Sequence, residues 1–325
     1  MSIKSDSGRL SFGDMSVSRI LEKYANHLLM RICDEFSFEI FREKLEPLYS
    51  DNGRPGYDPV KMLRVLILGK LQNFSDIRLE FEVCGNVLYR RFCGFKLDEE
   101  TPDHSTISRF RDKIAPIWEE LFGELCDWLE SRGYVRDELA TVDSTTLESR
   151  GRYRADRSTK DDAGKIDYSS QTDPDAQHGR KSEKKAFYGY KGHFATDGDS
   201  DFVVAVEATA GNVFDGAMLP TLIDKISYLP YAVTGDKAYN SAENHVYLLS
   251  RGVKDKTIPR HARRGRKPKA HKQRRRIERV FSVIKGKFGL KRSRFFGLGR
   301  IALEFGLSAL AFNLLNLLSI RAGPG

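Results

Sequence analysis

At Tyr134 the hydrophobic period of this chain changes, and no other feature restricts its fold so strongly. Upstream, apolar residues recur at three- and four-residue spacing. Downstream, alternating runs rich in β-branched residues are interleaved with helical ones. A chain of 325 residues is long enough for two domains and a sizeable core. The change divides it into an all-helical region, residues 1–133, and an α/β region, residues 134–325.

In the helical region, Ile20, Leu21, Tyr24, Leu28 and Ile32 mark one face of a helix within residues 15–47. Pro59 opens a strongly apolar helix, VKMLRVLILGKLQ, after the Arg54-Pro55-Gly56 turn. Ser75 is a candidate N-cap for a helical segment reaching Phe92. From Phe110 the apolar spacing predicts one helix to Ser131. Ser105, Thr106, Ser108, Arg109 and Arg111 stand at a helix start, which fits a DNA-reading helix-turn-helix and a plain helical bundle alike.

In the second region, DELATVDST (137–145) alternates as a strand does. Residues 148–184 are polar and aperiodic and read as a long loop or insertion. FYGYKGHFATD and DFVVAVEAT read as a hairpin about Asp197, Gly198 and Asp199. A helix over 214–227, a short buried strand YAVTGDKAY ending at Asp236, a helix from Asn240 and a strand KTIP follow. This order predicts an α/β layout with a mixed five-stranded sheet and flanking helices.

Charge narrows the partner. The net charge is +9, and ten Lys or Arg with no acid lie between Arg260 and Arg276. Such a concentrated excess favours a polyanion such as nucleic acid. Cys33, Cys84, Cys93 and Cys126 form no CxxC pair and read as core thiols in a reducing compartment. The polar start MSIKSDSGRLSFGD has no apolar core of a signal peptide. The run Ile301 to Ile320 is long and apolar, but Glu304, Asn313 and Asn316 interrupt it, so it reads as a buried helix and no membrane is expected.

Three acids stand where chemistry is expected. Asp143 lies on the first strand of the second region, Asp236 at the end of a short buried strand, and Glu278 on the helix KQRRRIERVFSVIKGKF (272–288). An acid in an apolar strand is costly to desolvate unless it meets a cation. On the helix, Ile277, Val280, Phe281, Ile284 and Phe288 form a stripe, and Arg274, Glu278 and Lys285 lie within roughly 40° of one another at its edge. Three carboxylates suffice to hold two divalent cations, and the flanking cations suit phosphates. An exposed salt-bridged edge fits the same spacing. Lys191 and His193 share one hairpin face and read as DNA contacts or solvated groups, with solvation favoured. Asn212 and Asp215 read as caps of the next helix or supports of the site. Tyr239 reads as core or as a base-stacking platform, and His104 as a turn residue.

Five ordered blocks resemble the DDE transposases of bacterial insertion sequences, in the group named after insertion sequences four and five. They are RPGYDPVKMLRVLILGKLQNFSD, YRRFCGFKLDEETPDHSTISRFR, VDSTTLES, VTGDKAYNS and RRRIERVFSVIKGKFGLKRSRFFGL. The resemblance implies an RNase H-like catalytic domain behind a helical domain for DNA binding and dimerisation. It implies a catalytic, metal-binding triad of Asp143, Asp236 and Glu278 with two Mg²⁺ ions, for which Mn²⁺ substitutes. It implies cleavage and strand transfer on double-stranded DNA, both terminal inverted repeats and target, by a homodimer in a synaptic complex at the nucleoid, in the bacterial cytoplasm. Arg274 and Lys285 match the family's Arg and Lys around the Glu, and His271 stands where the family has Tyr. Lys191, Arg109 and Arg111 join them as DNA-binding candidates. The rival expectation is a catalytically inactive, DNA-binding descendant of such an enzyme.

Overall fold

The computed structural model describes residues 21–49, 56–151, 172–182, 185–259 and 270–321. The chain divides into two compact units, residues 1–125 with 313–325, and residues 126–312. Each is described by itself.

The first unit is helical. α1 (Leu28–Glu35) is followed by short turns of helix that include α2 (Arg42–Leu45), then α3 (Pro59–Gln72), α4 (Asp76–Gly85), α5 (Val87–Cys93) and α6 (His104–Ile114). α7 (Trp118–Ser131) begins in it. α3 starts where Asp58 accepts from Val60 N and Lys61 N, with Pro59 at the first turn. Ser75 caps α4 as the sequence predicts. Three expected helices are shorter than their periodicity suggests. The first stops at Phe36, in extended backbone. The second breaks at Asn86, whose side chain caps α5. The third breaks before Trp118, where Pro116 sits in a 3₁₀ turn. In the last two cases a capping or imino residue interrupts a stripe that continues beyond it.

The second unit is built on a six-stranded sheet of β1 (Leu139–Glu148), β2 (Gln177–Ser182), β3 (Lys185–Asp197), β4 (Val203–Ala210), β5 (Ala232–Thr234) and β6 (Lys254–Asp255). β1 runs antiparallel to β3, with Asp143 opposite Phe194 and Ser144 opposite His193. β4 is antiparallel to β3 on its far side. β5 is parallel to β1, and β6 to β5. Three antiparallel strands followed by two parallel to the first, in the order β4-β3-β1-β5-β6, make the RNase H-like mixed sheet that was expected. The sixth strand, β2, lies inside the stretch that reads as a loop. It pairs with the start of β3, where His178 also meets the Tyr188 ring at 5.0 Å, and its sequence QHGRKS carries no apolar alternation to signal a strand. The last strand falls just before KTIP.

Helices α8 (Leu219–Asp224), α9 (Ala242–Ser250), α10 (Ala270–Gly286) and α11 (Leu298–Arg321) complete the order. The sheet face bearing Asp143 also carries Phe194, which meets Phe281 of α10 at 5.4 Å and Phe305 of α11 at 5.9 Å between ring centroids. Gly192 permits this approach, because a Cβ there would lie 2.6 Å from the Phe305 ring. The opposite face carries Val142, Ser144, Lys191 and His193. α11 is long and apolar enough to cross a membrane, yet 83% of its apolar window is buried inside the protein, as befits a core helix.

Candidate active site

The two aspartates stand at equivalent places on neighbouring strands. The last rung between β1 and β5 joins Thr141 to Thr234. Asp143 and Asp236 each follow that rung by two residues, so two half-buried carboxylates stand where β5 ends beside the middle of β1. Asp143 Oδ1 accepts from Ser144 N at 2.8 Å. Asp236 Oδ1 accepts from Ala238 N at 2.8 Å, and the Asp236 carbonyl accepts from Tyr239 N at 3.1 Å, which closes a turn after β5. Tyr239 is buried under this turn. Burial first, and then the negative charges of Asp143, Asp215 and Asp236, push its hydroxyl well above the ordinary phenol range. Three carboxylates therefore lie within electrostatic reach of one buried hydroxyl.

Glu278 is exposed on α10. That helix is fixed to the Asp143 face by Phe281, one turn further along. It is also fixed by two arginines that flank Glu278. Arg276 donates to the carbonyls of Gly198, at 2.7 Å, and Asp199, and its Nε lies 3.6 Å from Asp201 Oδ1. Arg279 reaches Asp201 Oδ2 at 3.3 Å. Burial raises the Asp201 carboxyl, and the two arginines oppose that shift. Among the described residues no three His, Cys, Asp or Glu side chains stand grouped as a metal site. The aspartate pair thus offers hard oxygen donors of the kind Mg²⁺ takes, and Glu278 is not gathered with them.

Several expected contacts differ. Lys191 is neither solvated nor turned outward. It is 8% exposed, ion-pairs with Asp215 at 2.8 Å and donates to the Val213 carbonyl at 2.8 Å, because β3 is an inner strand covered on both faces. His193 is buried beside it, with Nε2 2.8 Å from Thr209 Oγ1. Asp215 makes no helix cap and serves instead as the partner of Lys191. Arg111 is also buried and makes a two-pronged pair with Asp76 at 2.6 and 2.7 Å, joining α6 to α4, so it is not displayed to DNA. Arg109 is exposed on α6, and its guanidinium bonds Ser105 and Thr106. Lys285 is half-buried on α10. The side chains of His271 and Arg274, and the basic run 260–269, lie outside the described residues. His104 opens α6 and pairs with Glu80 at 2.7 Å.

The sequence reading misses Asn244 and the Arg276/Arg279 grip. Asn244 Nδ2 donates to the Gly216 carbonyl at 2.8 Å and to the Tyr239 carbonyl at 2.9 Å, tying the loop after β4 to the turn that carries Asp236. Nothing in the pattern around a helix-start Asn signals that role. Both arginines lie in RRRIER, where the sequence reading gives roles only to Arg274, Glu278 and the basic run that ends at Arg276.

A family model described as Transposase DDE domain matches residues 136–314, and one described as Transposase domain (DUF772) matches residues 18–113. Among solved structures, the piggyBac transposase synaptic complex with hairpin DNA is 11% identical, with 94% of this chain and 76% of that one covered and a TM-score of 0.41. The catalytic core domain of BIV integrase is 12% identical over 58% and 87%, with a TM-score of 0.29. The Mos1 transposase paired-end complex with left transposon end is 10% identical over 82% of each chain, with a TM-score of 0.21. Likenesses this slight add no weight to the family models, which cover most of the chain. This chain belongs to the transposases, as a member of the Transposase DDE domain family.

Proposed function

We propose that this transposase binds the terminal inverted repeats of an insertion sequence, cleaves DNA at the element's ends and joins the freed ends to target DNA, with Asp143, Asp236 and Glu278 as its metal-binding, catalytic carboxylates. The observation that carries this reading is the placement of Asp143 and Asp236 two residues past the last rung between parallel strands. When bound there, a pair of Mg²⁺ ions, or Mn²⁺ in their place, supplies an activated water or 3′-hydroxyl and charge for the leaving oxygen.

The protein's own groups do the rest. Asp143 and Asp236 would offer carboxylate oxygens from neighbouring strands, which are paired to within two residues of them. Glu278, exposed on α10, would supply the third carboxylate to the cations. Arg274 and Lys285, on the same helix, grip phosphates near the cut, with His271 one turn upstream. Arg109 and the basic run would neutralise other DNA phosphates. Both element ends must meet for joining, so the working form is a homodimer on two DNA ends, at the nucleoid of a bacterial cytoplasm.

The test is a nicking assay on end DNA with Mg²⁺. Asp236→Asn is expected to lower cleavage about 100-fold or more, as loss of a metal ligand should, while affinity for end DNA stays within twofold. Undiminished cleavage would remove Asp236 from the site. A parent protein that binds end DNA without nicking it would instead be an inactive descendant.

A further inference from the structure

The loop between α10 and α11, residues 287–297, lies along the same strand edge as Asp143. One side of β1 is taken by β3, as far as Glu148 opposite Gly189. On the other side β5 pairs no further than Thr141. The next partner there, among the described residues, is Arg292. A parallel bridge joins it to Glu148: Glu148 N donates to the Lys291 carbonyl at 3.2 Å, and Ser293 N to the Glu148 carbonyl at 2.7 Å. Asp143 stands between these two attachments, where Ser144 N donates to its carboxylate in place of a strand. Glu148 follows Asp143 by five residues, which sets the Arg292 rung roughly 17 Å from Asp143. The far end of the loop is braced as well. Gly297 N donates to Asp173 Oδ1 at 3.1 Å, and Leu298 N to Asp175 Oδ2 at 2.8 Å. Asp173 is fully buried and also accepts from the hydroxyls of Ser149 and Tyr190. Between the two ends Ser293 is buried, while Lys291, Arg292 and Arg294 are exposed. From Arg279 to Arg300 there are seven Lys or Arg and no acid. Glu148 is exposed at the Arg292 rung and leaves the rim net positive. A loop already fixed at both ends need not be ordered on binding, so its cations lose less of their attraction for a polyanion.

We infer that this loop is a phosphate rim for DNA running from the cut, with Lys291 and Arg292 holding backbone phosphates about five nucleotides from the broken bond. That spacing is the 17 Å of strand divided by the roughly 3.4 Å that each nucleotide spans. The inference rests on the reading of Asp143 and Asp236 as the site of cleavage. Contacts of this kind fix the register of the duplex against the carboxylates and carry no sequence preference of their own.

The test is an anisotropy titration of the full chain on duplex DNA carrying the terminal repeat that borders its gene, with single phosphates replaced in turn by neutral methylphosphonates. Lys291→Ala and Arg292→Ala are each expected to raise the dissociation constant about tenfold, the lower end for a hydrogen bond to a charged group. Each should also make the dependence of log Kd on log salt shallower by about one. Both side chains are exposed, so melting temperatures should match the parent's. Lys254→Ala, exposed on β6, removes the same charge elsewhere and is expected to stay within twofold. An equal loss there would reduce the effect to net charge and overturn the inference. Neutral linkages about five nucleotides from the cut should weaken the parent but add nothing to the loss in the Lys291→Ala/Arg292→Ala double variant. The same interference pattern in both proteins overturns the inference, as does affinity within twofold of the parent. Nicking by Asp236→Asn separates the two layers. If that variant cuts as the parent does, the acids are misassigned and the placement of the rim falls with them. If it is inactive while the double variant binds as the parent does, only the rim falls.

Discussion

His193 sits on an inner strand with none of its surface exposed, and its Nδ1 has no partner. Burial drives its pKa down to about 4, Asp215 opposes that shift, and Lys191 adds to it. Glu207 lies opposite on β4, ion-paired with Lys225 at 2.6 Å. The folded protein therefore holds a neutral imidazole. An unfolded chain protonates the same ring below its ordinary value, about 6.5. The contribution to stability is complete above about pH 6.5 and is lost as pH falls toward 4, to a limit of about 3 kcal/mol. His193→Gln is expected to flatten the stability–pH curve in that window, read by urea melts at several pH values. Parallel curves for variant and parent would show that His193 titrates normally. At this scale the sequence conveys identity but not environment. Asp143, Asp236 and Tyr239 are legible as acids and an aromatic in recognisable blocks. That Lys191 and Arg111 are buried pairs is not, because a basic residue reads the same whether its partner is a phosphate or a carboxylate 24 or 35 positions away.

Among the elements, α10 decides most. Its apolar stripe is plain in the sequence, and Ile277, Val280, Ile284 and Phe288 are all buried. Its anchor to the β3–β4 turn is not plain, because that turn lies nearly 80 residues earlier. Asp201 takes a positive φ of 64° there and presents its carboxylate to both arginines. Arg276→Ala removes two carbonyl contacts and one ionic contact, which should lower stability by about 1–3 kcal/mol. It should also lower cleavage about 100-fold, since a displacement near 1 Å in a catalytic group costs that much. Rates compared below both melting temperatures separate the two effects. A variant that melts lower but cleaves as the parent does would show the anchor to be structural only.

Over the whole molecule, charge sets the partner. With a net +9 and a basic run ahead of α10, binding to end DNA is expected to fall about 1000-fold between 50 and 200 mM salt. A flat response in filter-binding or anisotropy titrations would exclude the run as the principal DNA contact. The sequence by itself determined the change from helical to strand-bearing segments, the alternation of β1, β3 and β4, the core helix α11 and the family blocks, because hydrophobic period and local capping are properties of neighbouring residues. Only the tertiary structure decided that Asp143 and Asp236 follow the same rung on adjacent parallel strands, that β2 extends the sheet, that Asn244 ties down the turn after Asp236, and that Arg276 and Arg279 hold α10 to Asp201. Those facts depend on pairings between distant segments. Strand register and burial, which no local pattern encodes, choose the partners.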